Sequence, residues 1–352
     1  MRRLPIFFAL CSFLVLMTAG TAQAEERKTF KIAWSIYVGW MPWGWAADEG
    51  IVKKWADKYG IEIEVVQIND YIESINQYTA GAFDGCVMTN MDALTIPAVG
   101  GVDSTALIVG DFSNGNDGIV SKTATDVAGL KGATVNLVEL SVSHYLLARA
   151  LEGAGLAERD LTVVNTSDAD LVSVFTSTED VEHVVTWNPL LAEVAAYPDA
   201  TKLFDSSQIP GEIIDMMVVN TEVLEANPDF GKALVGAWYE TMAIMKSDDG
   251  DAVAARTAMG EAAGTDLEGY DAQLASTEMF YQPGDAVAFT LSPDLVTTMD
   301  NVRKFSDEHG LIEGGMDFVG IAFPGGETLG DEANVKLRFT EEYMKMAADG
   351  AL

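Results

Sequence analysis

Cysteine is almost missing from this chain of 352 residues, and the shortage closes several routes at once. Cys11 falls in an apolar leader, and only Cys86, in "FDGCVM", remains beyond it, so no intrachain disulfide is expected in the exported chain. Cys86 reads as a buried structural thiol, since no histidine stands near it in sequence to activate it. Histidine is as scarce. His144, His183 and His309 are scattered, and no H-E-x-x-H, paired Cys-x-x-Cys or G-x-S-x-G occurs, which leaves zinc and serine-hydrolase chemistry without support. Glycine is plentiful, yet it forms no G-x-x-x-x-G-K-[ST] phosphate loop. Positive charge is the third shortage: 21 Lys and Arg face 54 Asp and Glu, a formal charge of −33. Such a field argues against nucleic acid or anionic membrane as a partner. It suits a cationic ligand or, more simply, solubility in a salty medium.

Long apolar runs are confined to the start. Arg2 and Arg3 precede an almost wholly apolar Leu4 to Met17, and Ala22-Gln23-Ala24 offers a small-x-small cleavage site. This predicts a secretory signal peptide over residues 1–24. The run is short for a retained anchor, and Cys11 sits too early for a lipoprotein. The exported chain then begins near Glu25 with 328 residues, enough for about two domains. Losing two arginines takes its formal charge from −33 to −35.

Aromatic residues are concentrated. "WSIYVGWMPWGWA" places Trp34, Trp40, Trp43 and Trp45 between residues 34 and 46 with no charge among them. Around this stretch, strand and helix signals alternate. "FKIAWSI", "IEIEVVQI", "FDGCVMT" and "STALIVGDF" read as strands. A helix from about Trp43 to Lys58 ends at Gly60, and another over 71–81 ends at Gly81. The order β-α-β-α-β predicts a mostly parallel sheet flanked by helices. A second set follows from Asp117: strands in "DGIVSK", "LKGATVNLV", "LTVVNT", "EHVVTW" and "TKLF", and helices in "SVSHYLLARALEGAGL" and "ADLVSVFTST". Ser141 or Ser143 is the N-cap candidate of the first of these helices. "EIIDMMVVNTEV" comes next. After Thr221 the pattern is mostly helical: 222–246, 251–263, about 266–280, 294–309 and 331–348. The two sets predict two lobes, 25–115 with 215–352 and 116–214. The chain would cross between them near Phe112–Asp117 and Gly211–Val219, a hinge. The C-terminal helices are expected to pack mainly on the first lobe.

The succession "WMPWGWAADEGIVKKW", "YTAGAFDGCVMTNMDA", "DVAGLKGATVNL", "SVSHYLLARAL" and "VVTWNPLL" resembles the periplasmic substrate-binding proteins of the nitrate, sulfonate and taurine group of ABC transporters. The resemblance covers about residues 30 to 240. Each motif is loose alone; their order and spacing are specific. More narrowly, "WSIYVGWMPWGWAADEGIVKKWADKYGI" and the segment from "QYTAGAFDG" to "GDFSNGNDGI" resemble a subgroup described as urea-binding proteins. Its members travel with urea carboxylases, some held to act on guanidine. The resemblance implies a two-lobed clamp of the type II kind that closes on a small molecule and docks on an inner-membrane permease. It implies no cofactor, no chemistry on the ligand, a periplasmic location and a monomer.

In open α/β sheets ligands sit beyond the carboxyl ends of strands. Those positions supply Tyr37, Trp40 and Trp43 after the first strand, Tyr71 after the second, Asn90 and Asp92 after the third, and Asp111 on the fourth. The second lobe supplies Glu139, Ser141 and His144, then Trp187 and Asn188. The set is aromatic, acidic and amide, with no Lys or Arg. Aromatic faces attract cations and carboxylates pair with planar N–H forks, so guanidinium is the expected ligand class. Urea would use the same shape with weaker pairing, its carbonyl taking a donor such as Asn90, Ser141 or Trp187. Each residue has a plainer reading. The tryptophans serve as core, Asp92 as an N-cap, and His144 as part of a first helical turn. The alternatives are a sulfonate such as taurine, held by a buried cation, and a thiamin precursor or quaternary amine, held by a larger aromatic box. The thiamin-pyrimidine synthases share the expected fold, but a single cysteine cannot supply their cysteine cluster.

Overall fold

The computed structural model describes residues 27–312 and 314–352, so the expected leader and Cys11 lie outside the described residues. β1 (Thr29–Trp34) comes first. The single helix expected from Trp43 to Lys58 is two, α1 (Met41–Asp48) and α2 (Ile51–Lys58). Gly50 between them adopts φ 74°, which a side chain resists, and breaks the ladder. β2 (Glu62–Gln67), α3 (Tyr71–Thr79), β3 (Gly85–Thr89), the single turn α4 (Asn90–Ala93) and β4 (Ser104–Ser113) follow.

The next stretch holds β5 (Asp117–Ser121), β6 (Thr134–Leu137), α5 (Val142–Gly153), β7 (Thr162–Asn165), α6 (Asp168–Ser177), β8 (His183–Trp187), α7 (Leu190–Ala195) and β9 (Thr201–Asp205). β10 (Ile214–Asn220) then leads to α8 (Thr221–Ala226), α9 (Pro228–Lys246), α10 (Gly250–Ala262), α11 (Leu267–Leu274), β11 (Thr277–Met279), α12 (Pro283–Thr290), α13 (Pro293–Glu308), β12 (Gly320–Ala322), β13 (Thr328–Leu329), β14 (Val335–Phe339) and α14 (Glu342–Ala348). The C-terminal third is thus less helical than its sequence suggests. Pro228 starts a new helix at its N1 position and splits the expected 222–246. The expected 266–280 helix ends in β11, and 331–348 begins as β14. "VKLRF" becomes a strand because the free edge of β4 accepts it, Leu337 opposite Ser104 and Phe339 opposite Ala106.

Two sheets result. The larger runs β13-β12-β14-β4-β10-β3-β1-β2, with β11 also on β4; the smaller runs β7-β6-β8-β5-β9. Both are mixed. The βα units pair in parallel, β1 with β2 and β3, and β6 with β7 and β8. The strands beside the crossings run antiparallel: β10 with β3 and β4, and β5 with β8 and β9. The chain passes between the sheets twice, after β4 and after β9. Ser113 and Ser206 tie the two crossings together, with their hydroxyls 2.6 Å apart and Gly115 N–H donating to Ser206 at 2.8 Å.

The C-terminal helices cover the larger sheet. Trp43 stacks on Trp238 of α9 at 5.1 Å, and the Trp55 ring lies so close to Gly236 that a Cβ there would meet it at 2.3 Å. Trp55 Nε1–H donates to Glu240 at 2.7 Å. Cys86 is buried, as expected of a structural thiol. Among the described residues, no helix is long and apolar enough to cross a membrane.

Candidate functional site

Four rings make a continuous wall between the sheets. Tyr37 and Trp40 are 4.9 Å apart, Trp40 and Tyr71 5.5 Å, and Tyr71 and Trp187 5.7 Å, each pair tilted or edge-on. Such pairs add about 0.5–1.5 kcal/mol beyond burial, so the wall is held in shape. Strand ends place every ring. Tyr37 and Trp40 follow β1, Tyr71 opens α3 behind the Asp70 cap, and Trp187 closes β8. With Thr89, Asp117, Val142, Ile213 and Asp215 they line a narrow space of about 10 Å³. A second space of about 10 Å³ adjoins it, sharing Trp40 and Asp215 and reaching Trp43, Asp111 and Trp238.

Buried aspartates dominate the electrostatics. Asp92, Asp111, Asp117 and Asp215 are almost fully removed from solvent. Tyr37 donates to Asp111 at 3.0 Å, Tyr71 and Thr89 donate to Asp92 at 2.7 and 2.8 Å, and Ser113 donates to Asp117 at 2.6 Å. Asp111 and Asp215 stand directly opposite on β4 and β10. Among the described residues, no Lys, Arg or His lines either space. Burial therefore pushes the carboxyls up: Asp117 to about 7, Asp92 to about 6 despite the Tyr71 and Thr89 donors, Asp111 upward by burial and the nearby Asp117 against the Tyr37 hydrogen bond, and Asp215 upward by burial and repulsion from Asp111 and Asp117. One oxygen each of Asp92, Asp111 and Asp215, and the Trp40 indole N–H, have no partner. Buried polar atoms left unpaired cost free energy, and those of Asp111, Asp215 and Trp40 belong to residues that line the two spaces.

The structure brings Tyr37, Trp40, Tyr71 and Trp187 together on the first space, with Asp92 directly behind Tyr71. It sets Trp43 and Asp111 on the second. Other expected residues lie elsewhere. Glu139 is exposed, its N–H bonded to Asn165, because the turn before α5 points outward. Ser141 is the N-cap of α5, accepting from Ser143 N–H at 3.2 Å and donating to Val138 O. Asn90 spends its amide on backbone, donating to Glu212 O and accepting from Ile214 N–H. Asn188, just before the Pro189 cap of α7, accepts from Ala192 N–H and contacts Ser276. Its carbonyl accepts from Val38 N–H at 3.4 Å, so it joins the two lobes beside the site. Asp92 is the third residue of α4, and Thr89 is the cap.

His144 belongs to another cluster. Its Nε2 and that of His309 both lie 2.8 Å from Glu158 Oε1. His144 Nδ1 accepts from Leu140 N–H, which puts the ring proton on Nε2, facing Glu158. His309 Nδ1 lies 2.7 Å from Phe305 O and must donate. The Nε2 of neutral His309 is then a lone pair, and it donates to Glu158 only in the protonated ring, the form that the Glu158 hydrogen bond favours by raising His309. These three side chains lie close enough together to share a metal ion. Burial alone would push the Glu158 carboxyl up, but the two histidines outweigh it and hold it at about 2. A wider groove between α5 and α13 has mixed charge, part of it paired, as Arg149 with Glu212 at 2.8 Å and Lys304 with Asp300 at 2.5 Å.

Sequence reasoning missed Asp117 and Asp215. Asp215 carried a signal: it is the one charge inside the apolar run "IIDMMVV", a position that demands a partner once buried.

Solved structures share this architecture. The alkanesulfonate-binding protein SsuA from Xanthomonas axonopodis pv. citri bound to MOPS superposes with a TM-score of 0.67 at 16% identity, covering 82% of this chain and 96% of its own. The aliphatic sulphonate binding protein SsuA from Escherichia coli gives 0.66 at 18%, with 82% and 94% covered. The nitrate-binding protein NrtA from Synechocystis PCC 6803 gives 0.59 at 14%, with 93% and 99% covered. The fold is therefore that of the two-lobed periplasmic binding proteins, two sheets flanked by helices. The family model described as NMT1/THI5 like matches residues 46–252, more than half of the chain, and the chain belongs to that family. No curated protein matches the sequence.

Proposed function

We propose that this chain is the periplasmic solute-binding component of an ABC importer, closing on a small planar nitrogen-rich solute, guanidinium before urea, and delivering it to a permease without chemistry. The wall composition carries the reading: four aromatic rings and the aspartates at 111, 117 and 215, with no cationic side chain lining the space. Rings attract a cation by roughly 0.5–2 kcal/mol per good contact. A carboxylate receives two N–H groups of a planar fork at once. A sulfonate or nitrate would instead meet unpaired carboxylates with no positive partner, and a quaternary amine would leave their oxygens without donors. The clamp we propose has lobes of 25–115 with 215–352 and of 116–214, hinged at the paired crossings. Closing would make the Asp92–Val142, Asp70–Ser167 and Val38–Asn188 contacts. The protein would work as a monomer and need no cofactor.

Urea is the second reading, favoured by the unpartnered Trp40 indole N–H, which a carbonyl satisfies and a guanidinium does not. Titration calorimetry of the purified protein with guanidinium, urea and taurine at one fixed salt concentration separates these. Tight guanidinium binding supports the reading. Comparable urea binding moves specificity from charge to hydrogen-bond shape. Binding of taurine alone overturns it.

A further inference from the structure

We infer that the site trades a cation for a proton: a monovalent cation entering between the rings expels about one proton held among Asp111, Asp117 and Asp215. The inference rests on the cationic ligand class proposed above.

The geometry forces the question. Asp111 and Asp215 are directly opposite residues of antiparallel strands, fully buried, where like charges destabilise. Asp117 enters from the other sheet and repels both. The groups facing this cluster are all acids or neutral. From the loop after β1 comes the Tyr37 hydroxyl, with Thr277 of β11 beside it. From α11 and the segment after β11 come the Tyr270 and Tyr281 phenols, which feel Asp111. From α4 comes Asp92, which acts on Asp117. Among the described residues, Arg256 acts on the Tyr270 and Tyr281 phenols, and no lysine, arginine or histidine is among the charges that shift the pair itself.

Three carboxylates in a dry site without a counter-ion cannot all ionise, because burial penalises each charge and each charge penalises the next. Protons supply the missing positive charge in the ligand-free protein. The titration belongs to the cluster rather than to one residue. A bound cation supplies the same charge, so a proton departs to solvent and the charge of the cluster is conserved. Urea brings no charge and displaces no proton. The raised values of Asp117 and of the pair agree with this balance.

The test is calorimetry with guanidinium and urea near neutral pH in two buffers of different ionisation enthalpy, repeated at several pH values, with a carboxyl-carbon NMR titration of the ligand-free protein. Guanidinium heats should differ between buffers by about one proton, and its apparent Kd should weaken by up to about tenfold per pH unit below the cluster titration. Urea should show neither effect. Asp215→Asn should reduce the protons released, and Asp111→Asn serves where that variant folds poorly. Guanidinium binding with equal heats and a flat pH profile overturns the exchange while leaving the ligand assignment standing. Absence of guanidinium binding sinks the ligand assignment and the exchange with it, and titration of all three carboxyls in the ordinary range overturns the exchange by itself.

Discussion

Replacing Asp117 with Asn should move stability and binding in opposite directions. The carboxyl is fully buried, and burial lifts it from the ordinary 3.8 to about 7, with Ser113 holding it down and Asp92 pushing it up. A lift of that size corresponds to about 4 kcal/mol spent in keeping the charge at high pH. The sign follows from linkage: a raised carboxyl stabilises the fold relative to its ionised form only at low pH, and that contribution is lost as pH rises through about 7. Asn keeps the size and the acceptor for Ser113 but never ionises. Ligand-free Asp117→Asn should therefore match the wild type near pH 4, melt progressively higher as pH rises, and level off above pH 7. Guanidinium affinity should fall, since a charge-assisted bond contributes about 1.5–3 kcal/mol, or about 10- to 150-fold in Kd. Thermal melts at pH 5 and pH 8, paired with calorimetry, read both quantities. A variant that melts below the wild type at pH 8 and binds unchanged would refute the reasoning and make Asp117 a structural residue.

Gly39→Ala should lower the melting temperature by an overpacking cost of about 1–3 kcal/mol and weaken binding, because its Cβ would stand 2.5 Å from the Tyr37 ring and 2.8 Å from Asp111 Oδ2. Unchanged melting and affinity would show that this approach relaxes freely. Trp187→Leu stays apolar but removes the π face, and calorimetry should record a loss of about two- to thirtyfold in guanidinium affinity. The ligand-free wild type should melt lower at pH 8 than at pH 5, since Asp92 and Asp168 near 6 and Asp117 near 7 are raised by burial and their stabilisation is lost as pH rises through those values. Glu158→Gln should act the other way. The depressed Glu158 stabilises the fold above its ordinary 4.5 and loses that effect as pH falls toward about 2, so the variant melts lower at pH 7 and converges with wild type in acid, while guanidinium affinity stays unchanged.

The order of elements is legible along the chain because its signals are local. Alternation in "IEIEVVQI", the Asp70 cap and the glycines at 60 and 81 act within a turn or two of themselves. The ring wall is legible for a related reason: a parallel sheet puts strand ends on one rim, so Tyr37, Trp40, Tyr71 and Trp187 can be named before they are seen to meet. Residues around the start of α5 are not settled that way. Whether Glu139, Ser141 or His144 faces the cleft depends on the direction in which one short turn leaves β6, and that turn sends Glu139 to solvent and His144 to His309. Strand β14 likewise depends on a free edge of β4 that nothing within "VKLRF" announces. The acidic heart of the site is the clearest case. Asp111 and Asp215 are distant in sequence and become opposite residues only when β10 returns antiparallel beside β4, and Asp117 joins them only because the crossing brings β5 to the same place. Local chemistry chose helices, strands and rim; pairing between remote strands chose which charges would have to share one dry space.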